Sequence, residues 1–263
     1  MEIIGFALGI LIGVSLGLIG SGGSILTIPI LVYLMCMAPS QATTYSLFIV
    51  GVAALVGSIN GVKSKNFDLQ IAVYFGLPSI ISIFVMRKFL MPMLPQSLFH
   101  LSGFTITKDF LTMVVFAVLM IGASFSMIFK TQNRDLHSKE IDKSAIVLKG
   151  VLVGLLTGFV GVGGGFLIIP ILIFYARLSM QKAVATSLII IAANSLIGFV
   201  GSMNGDPINW VFLIKFTAFA VLGIFAGIYL GKKTRHEKLK PAFGWFVLTT
   251  GIYIIIKEVY AKF

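Results

Sequence analysis

Clusters of glycine interrupt two of the most hydrophobic stretches of this 263-residue chain. The first stretch reads GLIGSGGSILTIPIL over residues 17–31, and the second reads GFVGVGGGFLIIPIL over residues 158–172. Both residue types disfavour a continuous helix, because glycine adds backbone freedom and proline lacks the amide hydrogen that a helix interior uses. Each stretch is therefore predicted to contain a break between two shorter helices.

The composition is that of a membrane protein. Hydrophobic residues make up 58% of the chain and charged residues only 11%, whereas a soluble domain has roughly 25% charged residues. A helix that crosses a bilayer needs about 20 apolar residues. Six stretches meet this length, namely 42–61, 69–88, 109–129, 181–203, 208–231 and 241–261.

The two glycine-cut regions, 3–37 and 145–178, are too long for one simple helix. Each is predicted to form two pieces of about 14 to 18 residues, since its glycine cluster lies near its middle. The polar stretch 130–144 separates the chain into two halves. We therefore divide the chain into a first membrane repeat (1–129), an inter-repeat loop (130–144) and a second membrane repeat (145–263).

The two halves are similar to each other in sequence. Residues 17–57 match residues 158–198 at 15 of 41 positions with a constant offset of 141. The matched positions include glycines and prolines, such as Gly22 with Gly163 and Pro29 with Pro170, and shared hydrophobicity does not explain these. We interpret the chain as an internal duplication of about 130 residues.

The distribution of lysine and arginine predicts how the glycine-cut regions are placed. If each region crosses the membrane once, the basic residues divide almost evenly, 9 on one face and 10 on the other. If each region turns back as a re-entrant hairpin, one face carries 14 and the other 5, leaving out Lys215, which lies within a predicted span. Cytoplasmic loops carry an excess of basic residues, and this favours the hairpin. If each region instead makes two short full crossings, every loop lies on the same face as in the hairpin arrangement, so this alternative stays open.

Three crossings plus a hairpin in each half place the second half upside down relative to the first. The predicted fold class is therefore an all-α polytopic membrane protein with two inverted repeats, each a glycine-broken re-entrant helical hairpin plus three transmembrane helices. Inverted repeats with interrupted helices are typical of secondary transporters. Both chain ends are then predicted to lie on the non-cytoplasmic side.

The breaks are predicted to form an anion site. Irregular backbone at membrane depth is tolerated only where it is buried in protein or lines a cavity. The short helices that follow the breaks present free amide hydrogens and the positive end of a helix dipole, which suit an anion. In inverted repeats the two helix starts can meet near the bilayer midplane. The alternative is that the glycines only allow close helix packing, but packing glycines recur every fourth residue and these clusters are denser.

The paired glycine motifs, each followed by a helix reading ATTYSLF or AVATSLI, resemble the sulfite exporter TauE/SafE family of membrane permeases. The resemblance covers essentially the whole chain. It implies transport of sulfite, sulfonates or related small sulfur-containing or organic anions across the bacterial inner membrane. The first half departs from the usual pattern with Thr44-Tyr45-Ser46, where the second half has Thr186-Ser187.

Polar side chains near the breaks complete the candidate substrate site. Hydroxyl groups at these positions either donate to an oxyanion or bond to the carbonyl groups of their own helix. Asn194 lies in the middle of a span and contacts either a solute or another helix. Lys215 either attracts an anion or extends its amine to the membrane surface, and we favour the second interpretation. The predicted substrate-binding residues are Ser21, Gly22, Gly23, Ser24, Thr44, Ser46, Gly163, Gly164, Gly165, Thr186, Ser187, Asn194 and Lys215.

The sequence favours a secondary transporter of a small anion, with an anion channel as the alternative and a structural membrane protein as a weaker one. An enzyme is not expected, because the spans contain no buried acid–base pair, and the single Cys36 excludes a thiolate metal cluster. A phosphate-binding loop of the G-x-x-x-x-G-K-[S/T] type does not occur. The predicted partners are a small anionic solute and the lipid bilayer, with no nucleic acid, no cofactor and no metal, and the oligomeric state stays open.

Overall fold

The computed structural model describes residues 2–20, 22–63, 66–101, 104–129, 142–203, 207–233 and 236–260, and nearly all of them are helical. The elements of the first half are α1 (Glu2–Ile19), α2 (Gly22–Pro29) with a π-helical turn (Ile30–Leu34), α3 (Pro39–Lys63), α4 (Leu69–Val85) with a second π-helical turn (Met86–Leu90), α5 (Met91–Met93), β1 (Ser97–Leu101), β2 (Phe104–Thr107) and α6 (Lys108–Phe129). Those of the second half are α7 (Lys143–Val160), α8 (Gly165–Phe174), α9 (Met180–Ser202), α10 (Trp210–Lys233) and α11 (His236–Tyr260).

Six helices in the described part of the chain are long and apolar enough to cross a membrane, which agrees with an all-α membrane protein. Five of them coincide with predicted spans to within a few residues. The sixth is α7, which we expected to be one arm of a hairpin, while the predicted span 241–261 falls within α11 up to Tyr260. The antiparallel pair β1–β2, which lies before α6, was not predicted.

Both predicted breaks are present. Helix α1 ends at Ile19 and α2 begins at Gly22, while α7 ends at Val160 and α8 begins at Gly165. The first arms have 18 residues each, as expected, but α2 has 8 and α8 has 10, which is shorter than predicted. In the first half the α-helical hydrogen bonding ends at Pro29, where the chain continues as a π-helical turn.

The arms of each broken region fold back on one another as a hairpin. In the first hairpin Met35 lies beside Gly5, so the chain returns to the level at which α1 begins. In the second hairpin the Lys149 amine lies 3.9 Å from the centre of the Tyr175 ring, which places the end of α8 beside the start of α7. A single helix with a kink would carry these residues far apart, so this geometry disagrees with a single crossing and agrees with both the hairpin and the two short crossings.

Each first arm packs in parallel along a helix of the other half. Helix α1 runs along α10, where a Cβ atom on Gly13 would meet the backbone of Ala220. Helix α7 runs along α4, where a Cβ atom on Gly154 would meet the carbonyl oxygen of Ser79. The contact glycines of α1 and α7 recur every fourth residue, as close helix packing requires. The packing interpretation thus holds for these glycines, namely Gly9, Gly13, Gly17, Gly150, Gly154 and Gly158.

Equivalent helices of the two halves pack antiparallel to each other. In the α3–α9 pair, Gly51 lies beside Leu196 and Gly61 lies beside Ala185. Helices α6 and α11 pair in the same way, and the short helices α2 and α8 touch each other between these two pairs. The middle of the molecule is therefore formed by α3 and α9, with the two hairpin tips packed against them.

Candidate functional site

The second break is a sharp turn built from glycine. Gly161, Gly163 and Gly164 have φ angles of 81°, 68° and 77°, a left-handed region that other residues adopt only at a cost. The carbonyl oxygen of Gly164 accepts hydrogen bonds from the amides of Leu167 and Ile168 and so starts α8. The amides that precede these two in the chain have no intrahelical acceptor, and the positive end of the helix dipole lies there.

One face of α3 and one residue of α9 line this break. Thr43, Ser46 and Val50 follow each other at helical spacing on α3, so their side chains share one face. Gly161 packs against Thr43, and a Cβ atom on Gly163 would lie 3.5 Å from Val50 and collide with Ser195 Oγ. Ser46 stands between Thr43 and Val50 and therefore also faces the break.

Two buried hydroxyl oxygens at this break, Ser46 Oγ and Ser195 Oγ, have no hydrogen-bond partner within the described residues, and neither has Oδ1 of Asn194, the residue before Ser195 on α9. All three side chains are fully buried. The Asn194 amide nitrogen donates to Ser79 Oγ at 2.7 Å, which fixes the side chain and leaves its carbonyl oxygen free. Buried polar groups without partners are rare in folded proteins and mark a place that a ligand or water occupies.

A buried arginine lies at the outer end of the same break. Arg87 is only 5% exposed, and its Nη1 donates to Thr43 Oγ1 at 3.3 Å. Its Nη2 packs against Gly161, and neither Nη2 nor Nε finds an acceptor among the described residues. Arg87 lies in the predicted span 69–88, yet it was counted among the five basic residues outside the spans on the less basic face. That count was wrong for Arg87, because the helix continues beyond it through the π-helical turn Met86–Leu90 to Met93.

The break runs inward from one end of α3 towards its middle. Gly161 lies at the level of Thr43, which is in the first turn and a half of α3. Gly163 lies at the level of Val50, close to the centre of this 25-residue helix. The seven residues between these levels correspond to about 10 Å along a helix. The start of α8 therefore lies near the middle of α3.

The first break has a different lining. Gly20 has a φ of 75°, as Gly161 has, but it packs against Val184, the equivalent of Thr43. The equivalents of Asn194 and Ser195 are Ala53 and Ala54. Polar atoms without partners therefore cluster at the second break, as far as the described residues show. Among the predicted residues of the first break, Ser21 lies outside the described residues, Gly22 begins α2, Gly23 packs against Ile12 and Leu16, and Ser24 is buried.

The remaining predicted residues are not part of this cluster. Thr44 and Ser187 bond to carbonyl groups of their own helices, at Ser40 and Val184. Thr186 Oγ1 accepts a hydrogen bond from the Asp68 amide at 3.0 Å and so ties α9 to the start of α4. Lys215 is exposed on α10, and the interpretation that its amine reaches the membrane surface stays a prediction.

Sequence reasoning missed Arg87 and Thr43. A signal for Arg87 was present, because the apolar segment continues after it as FLMPML, up to Leu94, instead of ending in a polar loop. Thr43 carried no such signal, since its neighbour Thr44 has the same residue type and only the rotation of α3 distinguishes them.

The described residues contain no group of three or more His, Cys, Asp or Glu side chains that could hold a metal ion. Hydroxyl, amide and guanidinium groups dominate the break. Hydroxyl and guanidinium groups donate hydrogen bonds, whereas the free Oδ1 of Asn194 can only accept them. The start of α8 adds the positive end of a helix dipole.

Nearly the whole chain matches one family of known proteins. Residues 5–254 match the family described as sulfite exporter TauE/SafE. A probable membrane transporter protein of Xylella fastidiosa (strain Temecula1) is 30% identical over 93% of this chain and 91% of its own length. Probable membrane transporter proteins of Methanocaldococcus jannaschii and Bacillus subtilis are each 23% identical, covering 94% and 97% of this chain and 93% and 97% of their own lengths. No solved structure matches the chain.

Proposed function

The chain belongs to the sulfite exporter TauE/SafE family, and from this membership and the geometry of the second break we propose that it is a secondary transporter of a small anion. Sulfite, sulfonates and related sulfur-containing or organic anions are the proposed substrates. The proposed location is the inner membrane, with multiple crossings, both chain ends on the non-cytoplasmic side and no enzymatic activity.

One observation supports the proposal that the solute is an anion. The second break brings the start of α8 together with the unpartnered hydroxyls of Ser46 and Ser195, all of them buried near the middle of α3. Hydroxyls and free amides both donate to an oxyanion, and the helix dipole adds a partial positive charge. No carboxylate among the described residues bonds to these groups, so nothing there competes with a negative solute.

The two halves are proposed to be inverted repeats around this site. The antiparallel packing of α3 against its equivalent α9 supports this, because repeats related by an axis along the membrane normal would run in the same direction. The same holds for α6 and α11. The contact between α2 and α8 supports a common position for both hairpin tips near the midplane. We keep the domain division at 1–129, 130–144 and 145–263 as part of this proposal.

An anion needs no proton relay to move outward through such a protein. With the inside negative, the membrane potential favours outward movement by about 2.3 kcal/mol per charge per 100 mV. An anion channel is the second candidate function, since the same polar lining suits a pore.

Uptake measurements on the purified protein in liposomes test the proposal. We expect radiolabelled sulfite to enter with saturating kinetics, and preloaded unlabelled sulfite to accelerate its entry by counterflow. Sulfoacetate or acetate should compete, whereas a neutral sugar should not. Non-saturating flux without counterflow would indicate the channel, and uptake equal to protein-free liposomes for sulfite, sulfoacetate and acetate would contradict the proposal.

A further inference from the structure

We propose that Arg87 and Thr43 form a second oxyanion-binding position, at the outer end of the break and apart from the mid-helix hydroxyls. The inference rests on the proposed function, since it adds a step to the path of the same solute. The ligand that fits is an oxyanion with two oxygens on one central atom, as in a sulfite, sulfonate or carboxylate group.

One edge of the guanidinium group has donors that the protein does not use. Nη1, at the other side of the group, donates to Thr43 Oγ1 at 3.3 Å. Nε and Nη2 have no acceptor in the described part of the chain. These two atoms form the fork that binds two oxygens of a carboxylate or sulfonate in parallel hydrogen bonds.

The burial of Arg87 requires a negative partner. A buried charge costs several kcal/mol unless it is paired and hydrogen-bonded. Arg87 is 5% exposed and makes one side-chain hydrogen bond, to a neutral hydroxyl, within the residues that the structure describes. A bound oxyanion supplies both the missing charge and the missing acceptors.

The backbone around Arg87 leaves space for the guanidinium group. Nη2 occupies the place where a Cβ atom of Gly161 would lie, so only glycine fits there. A Cβ atom on Gly201 would lie 3.2 Å from the Arg87 Cβ, so α9 also passes close to this side chain. The side chain extends from the π-helical turn Met86–Leu90, and such turns interrupt helices frequently at functional sites.

Arg87 and the hydroxyl cluster contact different residues of the break, since Arg87 Nη2 packs against Gly161 and Ser195 Oγ lies beside Gly163. Thr43 and Val50 mark levels about 10 Å apart along α3, by the rise of a helix, and Ser195 belongs to the inner level. Ser46 lies between the two levels. The arrangement gives an anion an outer and an inner position on one path. At the first break the equivalent of Thr43 is Val184, so this position exists once among the described residues.

Thermal unfolding of the full-length protein in detergent, with sulfite and chloride as probes, tests the inference. Without added anion, R87Q should unfold at the same or a higher temperature than the wild type, because it removes an uncompensated buried charge. Sulfite should stabilise the wild type more than chloride does. The sulfite affinity should fall about tenfold to hundredfold in R87Q, as expected for a lost charge-assisted bond. R87K, which keeps the charge but lacks the fork, should lose the preference for sulfite over chloride.

Two control variants distinguish anion binding by Arg87 from a purely structural role of this residue. K88Q changes the same charge at the neighbouring exposed residue, whose amine lies over the Phe84 ring, and should bind sulfite like the wild type. D206N tests whether Asp206, which lies outside the described residues, neutralises Arg87. Three results would each overturn the inference. R87Q could be less stable than the wild type, R87Q could bind sulfite as tightly as the wild type, or D206N could show the same changes as R87Q. If Arg87 does not bind sulfite but the wild type still transports it, the inference fails and the proposed function stands. If sulfite binding depends on Arg87 but the wild type transports nothing, the inference stands and the proposed transport function is rejected.

Discussion

Buried hydroxyl groups in this protein are of two kinds, and the difference predicts their roles. Ser124 Oγ donates to the Ile121 carbonyl of its own helix at 2.6 Å, as helix serines commonly do. Ser195 Oγ is equally buried but has no partner within the described residues. A polar atom that is buried without a partner lowers the stability of the folded protein. A hydrogen bond from Ser195 Oγ to a solute would explain why a hydroxyl group is present at this buried position.

The substitution S195A should therefore separate stability from transport. We expect the unfolding temperature to stay unchanged or to rise, because an unsatisfied group is removed. The KM for sulfite should rise about tenfold, as for the loss of one hydrogen bond to a charged group. Liposome uptake and thermal unfolding measure both quantities on the same preparation. S124A is the matched control, and its KM should equal that of the wild type. An unchanged KM in S195A would remove Ser195 from the site.

Part of this candidate site could be predicted from the sequence at the level of residues. Gly163, Gly164, Ser46 and Asn194 follow from the glycine cluster and from polar residues inside apolar spans. Arg87 did not follow, because its burial depends on how α4 packs against the second break. Residue type and depth can be read from a sequence, but the face that a residue presents depends on tertiary packing.

At the level of elements, glycine has two separate roles in the broken hairpins. Gly154 allows α7 to approach α4, where an added Cβ would lie 2.8 Å from the Ser82 Cβ. Gly163 allows a left-handed turn next to Ser195. The glycine motif quoted from the sequence contains both roles, since Gly158 belongs to the packing stripe and the later glycines belong to the turn.

Alanine substitutions should distinguish these roles. G163A should abolish sulfite uptake, because its Cβ displaces the Ser195 hydroxyl, and should cost about 1–2 kcal/mol for the left-handed conformation. G154A should instead lower stability by about 1–3 kcal/mol through overpacking, with the remaining folded protein still active. Uptake and thermal unfolding of both variants measure the two effects.

Gly122 provides the control for these substitutions. It lies on the exposed face of α6, and an added Cβ would meet nothing within 4 Å. G122A should keep wild-type uptake and gain about 0.5–1 kcal/mol from helix propensity. Normal uptake in G163A would show that the turn has only a packing role, as the alternative interpretation of the sequence holds.

The element boundaries show where sequence reasoning ends. The breaks were predicted because glycine and proline act locally on the backbone. The short lengths of α2 and α8 were not predicted. After α2 the apolar sequence continues through the π-helical turn Ile30–Leu34, so no local signal marks the end of the α-helix. The β1–β2 pair was missed for a similar reason, because its residues were assigned to a connection between spans.

At the level of the whole molecule, the two hairpins end in equivalent conformations. Cys36 and Arg177 are separated by the repeat offset of 141 residues, and both have a positive φ, 53° and 54°. They are the two non-glycine residues with a positive φ in the described part of the chain. The duplication seen in the sequence therefore extends to the backbone conformation at the hairpin ends, although the side chains differ.

These two residues provide a test of the inverted arrangement. If each broken region is a hairpin that returns to its own side, three crossings separate Cys36 from Arg177, and the two residues lie on opposite faces of the membrane. If each region crosses once, four crossings separate them, and they lie on the same face. The difference in parity does not depend on the exact ends of any helix.

Labelling with a membrane-impermeant maleimide on spheroplasts distinguishes the two arrangements. Cys36 is the only cysteine of the chain and is exposed, so the wild type should be labelled from outside. In a C36S background, R177C should be labelled only after the membrane is permeabilised, because the excess of basic residues places the second hairpin end in the cytoplasm. C36S alone gives the background signal. Labelling of both cysteines from the same side would show that the repeats are parallel, and the two helix starts could then not approach the midplane from opposite faces.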